Sequence, residues 1–250
     1  MFSLLLAAVV ATSTSYIYLP PEVEASSTLV KASSSKVVAL TFDDGPYGTS
    51  TEKILAILRH EHIKATFFVI GKNVEKYPQV MKDIVADGHI VGNHSYNHSI
   101  QLQHYSYKVF ERNLNHAESI IVKRTGLYPK FFRPPYGLIS KTMSDVLAHD
   151  GYTSVMWDVD PRDWDPKNSS TTVAASIIST VKPGNIIILH DGHDVHSEYP
   201  KHPRENTIEA LEMLIDTLEK EGYSFVSLDT LLNKGAYGTT TLISLNKKGV

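Results

Sequence analysis

A chain of 250 residues, 42% of them hydrophobic, can bury a substantial core as one large domain or two small ones. Its 24 basic and 27 acidic residues leave a net charge of -3, which excludes an electrostatic footprint for nucleic acid or an anionic membrane. Cysteine is absent, so disulfides and thiolate chemistry are excluded too.

Phe2 to Val10 form an apolar run too short to span a bilayer and of the length of a signal-peptide core. Val23-Glu24-Ala25 offers a small-residue cleavage site, and Ser26 to Ser35 read as a Ser-rich linker, which together predict export. No Lys or Arg precedes the run, so a longer membrane anchor and a partly buried N-terminal strand stay open as alternatives.

From Lys36 onward, strand and helix patterns alternate. Val37 to Phe42 read as a strand buried on both faces that ends in Asp43, Asp44 and a Gly45-Pro46 turn. Thr49 or Ser50 is placed to cap a helix running to His60. Ala65 to Ile70 (strand), Val74 to Asp87 (helix), His89 to Asn93 (strand) and Ser106 to Arg124 (helix) follow. After the Phe131-Phe132 strand come three pairs: helix 141–149 with strand 152–157, helix 171–181 with strand 185–189, and helix 207–221 with strand 223–226. Leu228 to Leu232 close the regular region. About seven βα units predict one barrel-like α/β domain over 36–232, flanked by the 1–35 segment and a 233–250 tail; an open doubly wound sheet is the alternative.

The polar residues gather at the expected strand ends, where α/β folds carry their sites. Asp43-Asp44-Gly45 alone is as readily a turn as a site. His94 and His98, four apart, fall on one face of a helical turn, and with Asp44 they make a two-His, one-carboxylate set that leaves coordination positions open. Arg133-Pro134-Pro135-Tyr136-Gly137 reads either as a rigid polyproline-like turn with Arg133 in solvent, or as a fixed backbone path that lets the Tyr136 N–H face an oxyanion and Arg133 pair with a carboxylate. Asp158, Asp160 and Asp163 with Trp157 and Trp164 suit an apolar pocket wall and an Asp that orients Arg133 or a histidine. Ile186 to Leu189 lead into His190, a core histidine or a general acid opposite Asp43. His193 and His196 read as loop residues.

Taken in order, Thr41-Phe42-Asp43-Asp44-Gly45, His94-Ser95-x-x-His98, Arg133-Pro134-Pro135-Tyr136, Asp160-x-x-Asp163-Trp164 and Ile188-Leu189-His190 resemble the five motifs of the polysaccharide deacetylases, carbohydrate esterase family 4, over about Lys36 to Leu232. The resemblance implies a distorted, incomplete (β/α)7-type barrel and a metal-dependent hydrolase that removes acetyl groups from N-acetylglucosamine residues of peptidoglycan or chitin. O-acetyl xylan is an alternative substrate. It also implies that Asp44, His94 and His98 hold a divalent metal, zinc first and cobalt or nickel next. Asp43 would be the base and His190 the acid, with Arg133 and Asp163 tuning them and the Tyr136 N–H in the oxyanion hole. Trp164, Ile188 and Pro135 would line the acetyl pocket. A carbohydrate-binding domain without catalysis, or a nonhaem iron oxygenase, needs neither Asp43 nor His190 as an acid/base pair. The expected partner is an acetylated glycan outside the cell or at its wall, with membrane contact only through the N-terminal segment.

Overall fold

The computed structural model describes residues 36–193 and 204–238; the expected export segment and linker, His196 and the end of the C-terminal tail lie outside them. Seven parallel strands curl into an incomplete barrel around β1 (Lys36–Asp43). The order runs β5 (Thr153–Ser154), β4 (Phe131–Phe132), β3 (Ile90–Asn93), β2 (Thr66–Val69), β1 and β6 (Ile186–His190), with β7 (Tyr223–Phe225) beside the start of β1. Between β5 and β6 the sheet closes, among the described residues, through an isolated pairing of Val159 with Ile187, assisted by the Asp158 carboxylate, which accepts from Ile186 N at 2.8 Å. Asp158 thus does structural work.

The alternation of β1 separates two cores. Val38, Leu40 and Phe42 face outward, in one cluster with residues of α1 (Gly48–His60) and α7 (Glu205–Lys220) such as Ile54, Leu58, Leu211 and Leu214. Ala39 belongs to the inner cluster with Phe68, Ile90, Phe131, Val155 and Ile186. Thr41 and Asp43 continue that inner row toward the carboxyl end, where the apolar filling gives way to polar groups. The in-register pairs Asp43↔Phe68 and Asp43↔His190 set the neighbouring strand ends beside the first carboxylate.

Several expected boundaries shift for identifiable reasons. The 74–87 helix is two, α2 (Gly71–Lys76) and α3 (Pro78–Ala86), because Pro78 excludes helical geometry at Tyr77 (φ -123, ψ 58) and takes the first position of α3. Neither Thr49 nor Ser50 caps α1, which already starts at Gly48; instead Thr51 Oγ1 accepts the Tyr47 N–H at 2.8 Å. The fifth strand shrinks to two residues, since Val155 and Met156 direct their carbonyls to Arg133. Helices α4 (Tyr107–Thr125), α5 (Lys141–His149), α6 (Ser170–Thr180) and α8 (Leu228–Leu232) lie within one or two residues of expectation, α4 ending on Gly126 in the left-handed conformation. Packing continues past residue 232: Tyr237 pairs with Pro129, and its hydroxyl accepts from Val91 N at 2.9 Å.

His89 sits buried at the opposite end of the sheet, where its Nδ1 accepts the Ala65 N–H at 3.2 Å. Burial, with the Lys64 charge nearby, lowers it from 6.5 to about 4. Between those values the unfolded chain binds the proton that the folded one refuses, so folding stability falls as pH drops from about 6.5 to about 4, by about 3 kcal/mol from this group. His89→Gln, which keeps an acceptor for Ala65, is expected to flatten the urea-measured stability profile over that interval; profiles parallel to the parent's would contradict the assignment.

Candidate active site

The two adjacent carboxylates diverge because Asp44 turns into the left-handed region (φ 74) directly after extended Asp43. Asp43 Oδ1 faces Arg133, whose Nη1 donates to it at 2.8 Å and to Thr41 Oγ1 at 2.8 Å. The guanidinium is fully buried: its Nε and Nη2 donate to the Val155 and Met156 carbonyls at 3.2 and 3.1 Å, and it lies 4.2 Å over the Phe68 ring. Arg133 therefore answers a carboxylate, as expected. Burial nevertheless holds Asp43 above the ordinary carboxylate range, with Arg133 and His190 opposing it, so the arginine offsets only part of what burial does.

Asp44 faces His94 and His98 instead. Its Oδ1 is 3.5 Å from His94 Nε2 and 3.2 Å from His98 Nε2, and the three side chains bring ligand atoms within 4.8 Å of one another. The two imidazoles do not meet across a helical turn. Ser95 and His98 take positive φ (69 and 51), Asn93 Oδ1 accepts from Ser95 N at 2.9 Å and Ser95 Oγ from His98 N at 3.0 Å, so a tight non-helical turn folds the second histidine back toward the first. Their ring centroids are 5.0 Å apart.

This set fits a divalent cation on its own chemistry. His94 Nδ1 lies 2.7 Å from the Arg133 carbonyl, which can only accept, so the proton is on Nδ1 and Nε2 turns a lone pair toward Asp44. Burial and the neighbouring His98 lower His94 to about 3, so the ring is neutral. Asp44 Oδ1, buried, accepts no hydrogen bond among the described residues. A carboxylate oxygen and a neutral imidazole nitrogen facing each other at 3.5 Å call for a positive centre between them.

His190 stands beside Asp43 at the end of β6. Asp163 accepts twice from it, Oδ2 from the backbone N–H and Oδ1 from Nδ1, both at 2.8 Å, which leaves Nε2 as the free end of the ring. Burial disfavours the charged ring, yet the Asp163 carboxylate and hydrogen bond, with Asp44, raise His190 to about 9. Asp163 is lowered: burial pushes it up, but His190, Arg204 and Thr207 together win. The Asp of this loop thus orients a histidine rather than Arg133.

Tyr136, at positive φ (58) and 48% exposed, lays its ring 4.6 Å from that of His98, next to buried Pro135. Ile188 is buried on β6, on the same side as His190 two residues on. Trp164 is 44% exposed, with Arg162 stacked 5.0 Å over its ring. The geometry thus gathers Asp43, Asp44, His94, His98, Arg133, Asp163, His190 and Tyr136, while Trp164 and Ile188 are tied to the cluster through Asp163 and β6. Thr41, the first residue of the Thr41–Gly45 motif, bridges Arg133 and the Ile187 carbonyl. Two supporting residues had no signal of their own in the sequence: Thr207 Oγ1 donates to Asp163 Oδ2 at 2.7 Å, and buried Arg204 donates to the Gly192 carbonyl at 2.7 Å.

Asp163→Asn removes the charge that raises His190, so the His190 titration followed by NMR is expected to move down from about 9 by roughly 1–3 units. An unmoved titration would show that Asp163 does not set it.

Comparison with known proteins gives concordant results. The polysaccharide deacetylase family profile matches residues 30–155. The chain is 34% identical over 194 residues to a peptidoglycan-N-acetylglucosamine deacetylase of Bacillus cereus, covering 78% of this chain and 67% of that one. It is 32% identical over 222 residues to the Listeria monocytogenes peptidoglycan-N-acetylglucosamine deacetylase PgdA, covering 89% of this chain but only 44% of that longer protein. Among solved structures, a peptidoglycan N-acetylglucosamine deacetylase bound to a naphthyl N-hydroxybenzamide superposes with a TM-score of 0.73 at 32% identity, covering 81% of this chain and 91% of that one.

Proposed function

The chain belongs to the polysaccharide deacetylase family, and from that premise we propose that it hydrolyses the N-acetyl group of N-acetylglucosamine residues in a polysaccharide, peptidoglycan first and chitin-type glycans second. The observation that carries this reading is the meeting of two sets in one buried site: Asp44, His94 and His98 converge on a common centre, beside an Asp43–Arg133 pair and a His190–Asp163 pair on adjacent strands. A binding domain has no use for the second set.

A divalent cation held by Asp44, His94 and His98, zinc on our reading with cobalt or nickel as alternatives, would acidify a water and polarise the acetyl carbonyl. Asp43 takes the proton of the attacking water. Its Oδ1 is engaged by Arg133, so Oδ2, 3.7 Å from His94 Nε2, is the oxygen turned to the site, and burial makes it the stronger base. His190, an imidazolium at neutral pH, gives the Nε2 proton to the departing amine, because Asp163 holds Nδ1. Water adds to the acetyl carbon, the C–N bond breaks, and acetate and the free amine leave. The Tyr136 N–H, presented by a strained turn, would stabilise the oxyanion, and Trp164, Ile188 and Pro135 would wall the acetyl methyl. We further assign residues 1–35 to export or anchoring, 36–232 to the catalytic domain and 233–250 to a tail whose residues Ala236 and Tyr237 pack against that domain, with the enzyme acting outside the cell or at its wall.

Asp43→Asn is expected to keep bound zinc, measured by elemental analysis, while turnover of N-acetylglucosamine oligomers falls 10²-fold or more; His98→Ala is expected to lose both. Retained turnover in the Asp43 variant would remove it from the role of base.

A further inference from the structure

The left-handed backbone of Asp44 is disfavoured for any residue with a Cβ, so its surroundings must hold it. Asn73, buried on α2, donates from Nδ2 to the Asp44 carbonyl at 2.7 Å, and Ile70 N donates to the next carbonyl, that of Gly45, at 2.9 Å. The opposite side is closed by the loop after β6. A Cβ on Gly192 would lie 2.1 Å from the Asp44 carbonyl oxygen, a clash with backbone, and one on Gly45 would lie 2.0 Å from Asp191 Oδ2 and displace that carboxylate. Asp191 is fully buried: its N–H donates to the Asp43 carbonyl at 3.1 Å, and its Oδ2 accepts from Thr51 Oγ1 at 2.6 Å. Thr51 Oγ1 accepts in turn from Tyr47 N at 2.8 Å, which ties the far end of the same turn to β6.

We propose that Asn73 and the Thr51–Asp191 pair are positioning residues that clamp the Asp44–Tyr47 turn and so aim the Asp44 carboxylate at His94 and His98. The proposal rests on the reading of those three residues as metal ligands. Asn73 and Thr51 supply no ligand atom to that set; each acts through the backbone that carries Asp44. Without the clamp Asp44 is free to relax to negative φ, which swings its carboxylate away from the two imidazoles.

The test uses the full chain with zinc as the probe. Zinc affinity is measured by competition with a chromophoric chelator for the parent, Asn73→Ala, Thr51→Val and Thr51→Ser, and melting temperature is measured in excess chelator. Asn73→Ala and Thr51→Val are expected to bind zinc 10–100-fold more weakly, Thr51→Ser close to the parent, with metal-free melting temperatures within a few degrees. Excess zinc is expected to restore turnover to both weakened variants but not to His98→Ala. Parent-like zinc affinity in Asn73→Ala and Thr51→Val would overturn the clamp. So would lowered melting temperatures with unchanged affinity, the mark of a merely structural role. Absence of zinc binding by the parent would instead overturn the ligand reading beneath it. Should Asn73→Ala not fold, Thr51→Val against Thr51→Ser decides alone.

Discussion

Everything at the carboxyl end of the barrel is arranged about one buried charge, the Arg133 guanidinium. A cation with no exposed surface is tolerable only when its N–H groups are met and a counter-charge is at hand. Four contacts meet this demand, from Asp43, Thr41 and the carbonyls of Val155 and Met156, and they come from β1 and from the chain beyond β5. The same residue's own carbonyl accepts from His94 Nδ1, which fixes the tautomer of a candidate ligand. Arg133 thus joins three strands, the base and the metal set. Replacing it removes the direct partner of the buried Asp43 carboxylate, and breaking such pairs typically costs about 3–5 kcal/mol.

Around that charge the backbone departs from its preferred regions. Asp44, Ser95, His98 and Tyr136 all take positive φ and all belong to the site, with Arg162 in the loop that carries Asp163. Conformations of this kind persist where surrounding contacts over-determine them. Here the contacts are side chains bonded to backbone, Asn93 on Ser95, Ser95 on His98 and Asp160 on Arg162. The inner apolar row of Ala39, Phe68, Phe131 and Ile186 provides the rigid base from which these turns project. Precision at the site therefore comes from the barrel, and its chemistry comes from the turns.

Much of this was legible in the sequence because strand ends are legible. Apolar runs stopping at Asp43, Asn93, Phe132 and His190 place polar residues at one end of a parallel sheet, and five such groups in order carried the family resemblance. What escaped depends on partners set by the tertiary path. The approach of His94 to His98 uses left-handed residues that helical spacing does not describe. The two-residue strands β4 and β5 carry too little period to be bounded, and Arg133 recruits the carbonyls that an extended β5 would have paired. Asn73, Thr207 and Arg204 act through hydrogen bonds to distant residues, and nothing in their local sequence marks them. Pro78 was a visible break in the 74–87 helix that apolar periodicity masked.

The most direct test of the account is acetate release from N-acetylglucosamine oligomers and from peptidoglycan by chelator-stripped enzyme, before and after zinc, cobalt or nickel is returned. The account predicts no release from the stripped enzyme, restoration by at least one of these metals, and an equal yield of free amine. Acetate release that persists without metal, or its absence from every acetylated glycan while one metal is bound per chain, would contradict it.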